Sequence, residues 1–598
     1  MNENKKPLYL FAFILILGFS LIQHKQSNQS FDISENEIMD HIRFLSHEKR
    51  DGRLPGSRGS KDVVAYLIGC LKSYGLEAGN KNSFIQPFDI NAGVRLREKN
   101  YLIINGDTLF PEIDYSPLSF SASGEVSGSI VFAGYGFNIN EKDIKWNDYE
   151  NINAVGKWVM VMRHGPERGA QHSIYAPHMP LYKKMMIARD KGALGIIFVS
   201  QKKDEGLYPL NNIINQNNGG IPAIHLSNSS ANKLLKRFGW TQKKIQKKMD
   251  QSLASVSFDM KNIKLEALIN LQIIKKRGAN VVGKIKSGNR QHRDEYVVIG
   301  AHFDHIGMGG PGSGSRTPNE ITFHPGADDN ASGTAGLLEL AQKLAFQKSR
   351  LKRSVLIVAF DAEEQGLLGA KHFIANPPVK LENIVSMINM DMIGRLKDSV
   401  ATVGGVGSSP SFKPLLDSLK LNRSFDLTMS MPGFGPSDHA AFYSKDIPVL
   451  FFFSGLHEDY HTPNDTWKQI NPKGEKDLLD LIYDTVFHIA RQAHPPVFSE
   501  AGPKENPSTN TPRLKITLGI MPKYGSPEEG LEIEAVTRKN GPAAEAGMKK
   551  GDVIKSINNK PIKNIYDYMG ELSNFKKGMD VPFEIERNGK RKQILISF

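Results

Sequence analysis

Four apolar runs between residues 295 and 467 end in acids or histidines, and no other feature limits the fold so tightly. EYVVIGAHFDH ends in His302 and Asp304; RSVLIVAFDAEEQG ends in Asp361, Glu363 and Glu364. NIVSMINMDMIGR ends in Asp391, and IPVLFFFSGLHEDYHTPNDT leads to Tyr460 and His461. Between the first two, GADDNASGTAGLLELAQKLA sets Asp328 and Asp329 in a polar turn just before a helical pattern. Continuous apolar runs that alternate with helices describe strands covered on both faces. The expected fold is therefore α/β, a doubly wound, largely parallel sheet with helices on both faces. Ligands in such sheets collect beyond the carboxyl ends of the strands, where all four runs carry their polar residues.

Those residue types suit a pair of divalent metals. The chain has one cysteine, Cys70, which excludes an internal disulfide and any zinc site built from cysteine clusters. Two imidazoles and three carboxylates make a mixed nitrogen and oxygen donor set of zinc-like softness. A carboxylate in the turn before a helix can bridge two ions held roughly 3.5–4 Å apart. The adjacent Glu363 and Glu364 can divide the work, one as metal ligand and the other as proton acceptor. Asp304, two positions after His302, is expected to orient its imidazole. A lone Asp-Asp or Glu-Glu pair is ordinarily solvated surface charge, so the inference rests on the ensemble at four strand ends. His305, His324, His372, His439 and His457 are read as structural, none being needed to complete the set.

The segments AHFDH, GADDNASG, DAEEQG, NMDMIG and YHTPNDT, in this order and spacing, resemble the co-catalytic dizinc aminopeptidase family. That family also includes glutamate carboxypeptidase, glutaminyl cyclase and the transferrin receptor. The resemblance extends to ISENEIMDHIRFLSHEKRDGRLPGSRGSKDVVAYLIGCLKSYGL near the start. It implies two Zn2+ per chain, one held by His302 and Asp391 and the other by Glu364 and His461, with Asp329 as the bridge. Asp328 aligns with no ligand. Glu363 matches the general base that takes a proton from a metal-activated bridging water. Tyr460 matches a position that donates to the oxyanion in some members. The implied activity is release of N-terminal residues from peptides. The alternatives are a zinc carboxypeptidase, a glutaminyl cyclase-like enzyme, or an inactive binding protein on the same scaffold. A carboxypeptidase needs a cation for the substrate carboxylate, and Arg395 is the one candidate near the site. An inactive scaffold would be expected to lose a ligand or the base, and none is lost. Phe434 and Phe442 are read as core residues before pocket walls, and the substrate-binding residues are left unassigned.

At 598 residues, with 40% hydrophobic and 23% charged residues, the chain is long enough for several packed domains. Residues 1–30 place Lys5 and Lys6 before an uncharged run from Leu8 to Ile22, which reads as a signal peptide or N-terminal anchor. An exported protein is expected: periplasmic, extracellular or membrane-anchored facing outside. Residues 31–114 and 265–493 are assigned to the peptidase core. The stretch 115–264, with WNDYENINAVGKWVMVMRHG and ARDKGALGIIFVS, resembles a β-rich protease-associated insert. Residues 494–512 read as a linker. Residues 513–598 resemble a small β+α PDZ domain, with LGIMP at 518–522 as a carboxylate-binding loop and NGPAAEAGMKKGDVIKSINNKPI beyond it. Such a domain implies a C-terminal peptide ligand added as a strand. The glycine-rich run 307–317 lacks a Gly-Lys-Ser/Thr ending and is read as a loop.

The formal charge of +13 invites a nucleic-acid reading, but residues 231–290 hold 15 Lys+Arg against 3 Asp+Glu, or +12. That segment has no aromatic-basic platform, so no nucleic-acid partner is expected. Its spacing of Leu234, Phe238, Ile245 and Met249 predicts one helical face with lysines outside it, a solvated surface before a membrane-contacting one. Membrane association is expected only through the N-terminal segment.

Overall fold

The computed structural model describes residues 31–598 apart from 142–143, 167–172, 201–205, 211–217, 311–312, 318–319, 397–399, 422, 506–515, 523–529, 537–540, 564, 573 and 577. The N-terminal apolar segment lies outside these residues. Among those described, no helix is long and apolar enough to cross a membrane.

The core elements are α1 (Glu35–Leu45), α2 (Arg58–Ser73), β1 (Ile85–Leu96), β2 (Leu271–Ile285), β3 (Tyr296–His302), α3 (Gly333–Phe346), β4 (Ser354–Phe360), α4 (Leu368–Ala375), β5 (Ile384–Met390), β6 (Val400–Gly404), α5 (Phe412–Lys420), β7 (Asp426–Met429), α6 (His439–Tyr443), β8 (Val449–Phe453) and α7 (Pro472–Arg491). The sheet order is β2-β4-β3-β5-β8-β6-β7, with β1 and Glu77–Ala78 paired to β2. The central strands β4, β3, β5 and β8 are parallel, whereas β2 and β6 join them antiparallel. The four runs that carry the polar residues are therefore the parallel centre of a mixed sheet, and their carboxyl ends share one edge.

Burial on both faces explains why those runs do not alternate. Val297, Ile299 and Ala301 of β3 pack with residues of α1, α2, α3 and α7, while Val298 enters the opposite layer with Phe373 and Phe442. Complete burial of one such side chain contributes about 1.5–3 kcal/mol. Gly300 is small by necessity, because a Cβ there would lie 2.6 Å from the Phe360 ring. Phe442 belongs to this core, and Phe434 packs against it.

A second sheet runs Asp107–Leu109, Tyr101–Ile104, Ser257–Ile269, Gly124–Ala133, Trp158–Met162, Gly195–Val199, Ala223–Leu226, Tyr115–Pro117. It begins earlier than the expected 115 and ends later than 264, because Tyr101–Ile104 pairs with the strand that closes it. The lysine-rich segment is two helices, Asn228–Lys236 and Gln242–Ser252. Gly239 breaks them at φ +77°, and the Thr241 side chain caps the second by accepting the Lys244 N–H. Ile245 and Met249 are buried while Lys243, Lys244, Lys247 and Lys248 are exposed, so the basic charge does sit on an outer face.

The third unit is a small sheet of Ile520–Pro522, Leu531–Val536, Val553–Ile557, Asp580–Arg587 and Lys590–Ser597 with helices Pro542–Glu545 and Ile565–Leu572. Leu518, Leu531, Ile554, Phe583 and Ile585 form its core. The first part of the expected linker is bound to the core sheet's loops. The Ser499 N–H donates to Ser408 O (2.9 Å), and the Ala501 N–H donates to the Tyr443 hydroxyl (2.7 Å). Its later part, 506–512, lies outside the described residues.

Candidate metal centre

The carboxyl ends of β3, β4, β5 and β8 bring five side chains together with the turn before α3. His302 ends β3 and is buried; its Nε2 lies 3.3 Å from Asp391 Oδ1 and 3.4 Å from Asp329 Oδ1. His461 Nε2 lies 3.0 Å from both Asp329 Oδ2 and Glu364 Oε2. Asp329 thus turns one carboxylate oxygen to each imidazole, as a bridging ligand must. His302 donates its Nδ1–H to the Asp304 carbonyl (3.3 Å) and His461 to the Gly314 carbonyl (3.0 Å). Each ring therefore aims Nε2 at the centre, the nitrogen that can bind a metal once any proton on it is displaced.

The donor atoms converge in two groups, His302, Asp329 and Asp391, and His305, Asp329, Glu364 and His461, each within 4.8 Å of one another. Asp329 Oδ2 and His461 Nε2 are buried and close, yet neither has an aligned hydrogen-bond partner among the described residues. Buried donors that meet at short range without mutual hydrogen bonds fit a shared cation. With no thiolate among them, the imidazole and carboxylate donors fit zinc.

The electrostatics separate the two glutamates. Burial alone would raise Glu364, but the neighbouring His305 and His461 overrule it and hold the carboxyl well below the usual range. Glu363 is pushed well above its ordinary value by burial, reinforced by Asp438, Glu364 and Asp391, with His302 opposing. One glutamate is thereby kept as an anionic ligand and the other as a strong proton acceptor. Burial would lower His461, but Asp329 and Glu364 outweigh it and lift the imidazole to about 11. Tyr460 stacks on His461 with ring centroids 3.9 Å apart. Burial and the nearby Asp329, Glu364 and Asp391 raise its hydroxyl, which stays protonated.

Backbone strain gathers at the same place. Ala362, Met392 and His461 all have positive φ, at 59°, 54° and 55°. Each adjoins or is a residue of the centre, where surrounding structure holds such conformations.

Asp304, expected to orient the His302 imidazole, meets that ring through its main chain. Its main-chain carbonyl orients the His302 ring, while its carboxylate, 3.6 Å from Nδ1, accepts the N–H groups of Glu363 (3.0 Å) and Glu364 (3.3 Å). Asp361 turns away to the Ala279 and Ala362 N–H groups. Asp328 accepts from Gly394 N (2.7 Å) and faces His457 Nε2 (3.2 Å). Arg395 is committed to Asp459 (2.7 Å) and Asp465 (2.6 Å). His324 is held by Thr322 O and Ser315 Oγ, His439 stacks on Phe451, and His372 on Phe88. His305, also read as structural, is fully buried with Nδ1 2.7 Å from Glu364 Oε1.

Two supporting residues are not singled out in the sequence, although both lie inside segments that carry the family resemblance. Asp465 Oδ2 accepts the N–H groups of both Asp328 and Asp329 at 3.0 Å. Arg53, at 0% exposure, donates to Phe303 O (2.7 Å), Leu45 O (3.0 Å), Pro325 O (2.7 Å), Gly326 O (2.8 Å) and, at 3.5 Å, Asp329 O. It ties the loop after β3 to the turn before α3 from more than 200 residues away in sequence.

A mixed α/β sheet with imidazoles and carboxylates gathered beyond its parallel strands is a framework suited to metal-dependent hydrolysis. Residues 280–486 match Peptidase family M28, residues 119–234 a PA domain and residues 518–597 a PDZ domain. The central part of the chain thus matches this peptidase family, and two further stretches match the PA and PDZ accessory domains. Aminopeptidase YwaD of Bacillus subtilis is 27% identical over 327 residues, which cover 53% of this chain and 61% of that protein. An aminopeptidase of Pseudomonas aeruginosa is 24% identical over 437 residues, covering 70% and 69%. The chain spans less than two thirds of the length of the first curated relatives it matches. Among solved structures, an aminopeptidase from Aneurinibacillus sp. strain AM-1 aligns over 79% of this chain and 98% of its own, at 20% identity and a TM-score of 0.47.

Proposed function

We propose that this chain is an exported zinc aminopeptidase that removes N-terminal residues from peptides. The observation that carries the reading is the convergence of His302, Asp329, Asp391, Glu364 and His461 around two points, with Asp329 Oδ2 and His461 Nε2 buried and without an aligned hydrogen bond. His302 and Asp391 would hold one zinc, Glu364 and His461 the other, and Asp329 both. Bound there, zinc supplies Lewis acidity toward a peptide carbonyl and lowers the pKa of water. Glu363, kept basic by burial, accepts the proton of the attacking water and returns it to the leaving amine. The Tyr460 hydroxyl, kept protonated, is available to donate to the developing oxyanion. Asp304 fixes the backbone of both glutamates, and so sets the base relative to the ligands.

Arg395 argues against the carboxypeptidase alternative, since both of its terminal nitrogens already face carboxylates. In the accessory parts, the PA domain is assigned to substrate access and the PDZ domain to a peptide C-terminus. For the insert, expected at 115–264, we place the limits outside residues 101 and 269, which its strand pairing supports. Export is supported by the lysines and apolar run of residues 1–30. A relative named a probable lipoprotein aminopeptidase, from Mycobacterium tuberculosis, is 24% identical over 71% of the chain.

The test is a panel of aminoacyl reporters with free or blocked amines, read together with metal content. Cleavage confined to free-amine substrates by protein holding two zincs is expected. Equal cleavage of blocked substrates would overturn the aminopeptidase reading.

A further inference from the structure

His305 is a buried imidazole that the five-ligand scheme does not use. It follows His302 and Asp304 on the segment leaving β3, and its exposure is 0%. Its Nδ1 is 2.7 Å from Glu364 Oε1, a hydrogen-bond length. Nδ1 is farther, 3.9 Å, from Asp329 Oδ2, and its ring centroid is 5.6 Å from that of His461. The opposite nitrogen, Nε2, has no hydrogen-bond partner among the described residues. Glu364 is thus divided between two imidazoles: Oε1 faces His305, and Oε2 faces His461 at 3.0 Å.

Geometry assigns different tasks to these contacts. His461 Nε2 stands 3.0 Å from two carboxylates without hydrogen-bond alignment, as atoms around a common cation do. His305 Nδ1 instead makes one short contact with one oxygen. The main chain holds it in place, since the His305 N–H reaches the Arg53 carbonyl at 3.4 Å. Gly326 keeps the space beside the ring open, because a Cβ there would lie 2.5 Å from His305 Cδ2.

We propose that His305 is a positioning residue: its Nδ1–H holds Glu364 Oε1 and commits Oε2 to the metal. This rests on the two-zinc reading above and adds a sixth residue that acts through the ligand Glu364. A charge-assisted hydrogen bond to a ligating carboxylate typically carries 10–100-fold in metal affinity.

The test uses the full chain and zinc alone, titrated against a competing chelator. His305→Ala should weaken one of the two zinc-binding steps by roughly 10–100-fold and leave the other within a few-fold. His305→Asn places an amide N–H where Nδ1 stood and should restore most of that affinity. His305→Leu, which keeps bulk without a donor, should match His305→Ala. The three variants are compared only after circular dichroism shows wild-type secondary structure. A fallback, Glu364→Gln with His305 intact, should weaken the same step. If both steps in His305→Ala match wild type, the proposal fails. If His305→Asn is as weak as His305→Ala, the hydrogen-bond role fails, and the imidazole itself is the donor to zinc. If the wild-type chain binds fewer than two zincs, it is the two-metal reading that fails.

Discussion

Replacing Arg53 with Met removes the guanidinium that joins the loop after β3 to the turn before α3. Four carbonyls, of Phe303, Leu45, Pro325 and Gly326, lie 2.7–3.0 Å from its nitrogens and would lose their donor. At about 1 kcal/mol for each buried acceptor left unsatisfied, the loss is about 4 kcal/mol. That is a large share of the ~5–15 kcal/mol that stabilises a typical domain. Burial lowers Arg53 to about 10, with Asp329, Asp304, Asp465 and Glu364 resisting, so it is charged at neutral pH. Deleting a cation beside those acids would, by charge alone, strengthen binding of a metal cation. Loss of position acts the other way, because Phe303 follows His302 and Gly326 precedes Asp329. The expected result for Arg53→Met is a destabilised core, measured by urea unfolding of the metal-free protein, together with weaker zinc binding by chelator competition. Arg53→Lys keeps the charge with three donors and should fall between. A loss below about 1 kcal/mol, or tighter zinc binding by Arg53→Met, would refute the reasoning.

Glu363→Gln should lower turnover by about 10²–10⁴-fold while both zincs remain bound, checked by kinetics and metal analysis; retained activity or lost metal contradicts the base assignment. His461 is raised to about 11, so at pH 7 zinc must displace its proton. Calorimetry in two buffers of different ionisation enthalpy should therefore show proton release, with affinity rising as pH rises; equal heats in both buffers would count against it. Lys184, buried in the insert and bonded to Met162 O (2.8 Å) and His164 O, is lowered by burial to about 7. Between pH 7 and 10.5 the unfolded chain holds that proton and the folded chain has lost it, so stability should rise with pH across this window. Lys184→Met should flatten that rise in urea titrations; an unchanged slope assigns it to other groups.

Much of the metal centre was legible because its residues follow apolar runs. Each strand of the parallel centre is buried on both faces, so its sequence shows where it ends, and ligands in this architecture stand at that end. His302, Glu363, Glu364 and Asp391 could be read this way, with Asp329 in the turn between strands. His305 reads as structural in the sequence, because one histidine beside a strand end looks the same whether it lines a core or faces a carboxylate. Arg53 was illegible for a further reason: it makes its bonds to main-chain carbonyls, which leave no trace in residue identity. The lysine-rich segment showed its buried face correctly, yet the break at Gly239 turned one expected helix into two.

By itself the sequence determined the α/β class, the donor set without thiolate and the place of the basic charge, because these follow from hydrophobic pattern and composition. The family resemblance already prefers Asp329 to Asp328, and Glu363 and Glu364 to Asp361; tertiary structure decided how each is aimed, with Asp328 and Asp361 turned to backbone N–H groups and Arg395 withdrawn into ion pairs. Adjacent residues in a turn share their chemistry but not their direction, and direction is set by distant partners. Asp465 receives the backbone of residues 328 and 329, Asp304 that of residues 363 and 364, and Arg53 joins the two loops. The sequence names the donors; only the folded chain aims them.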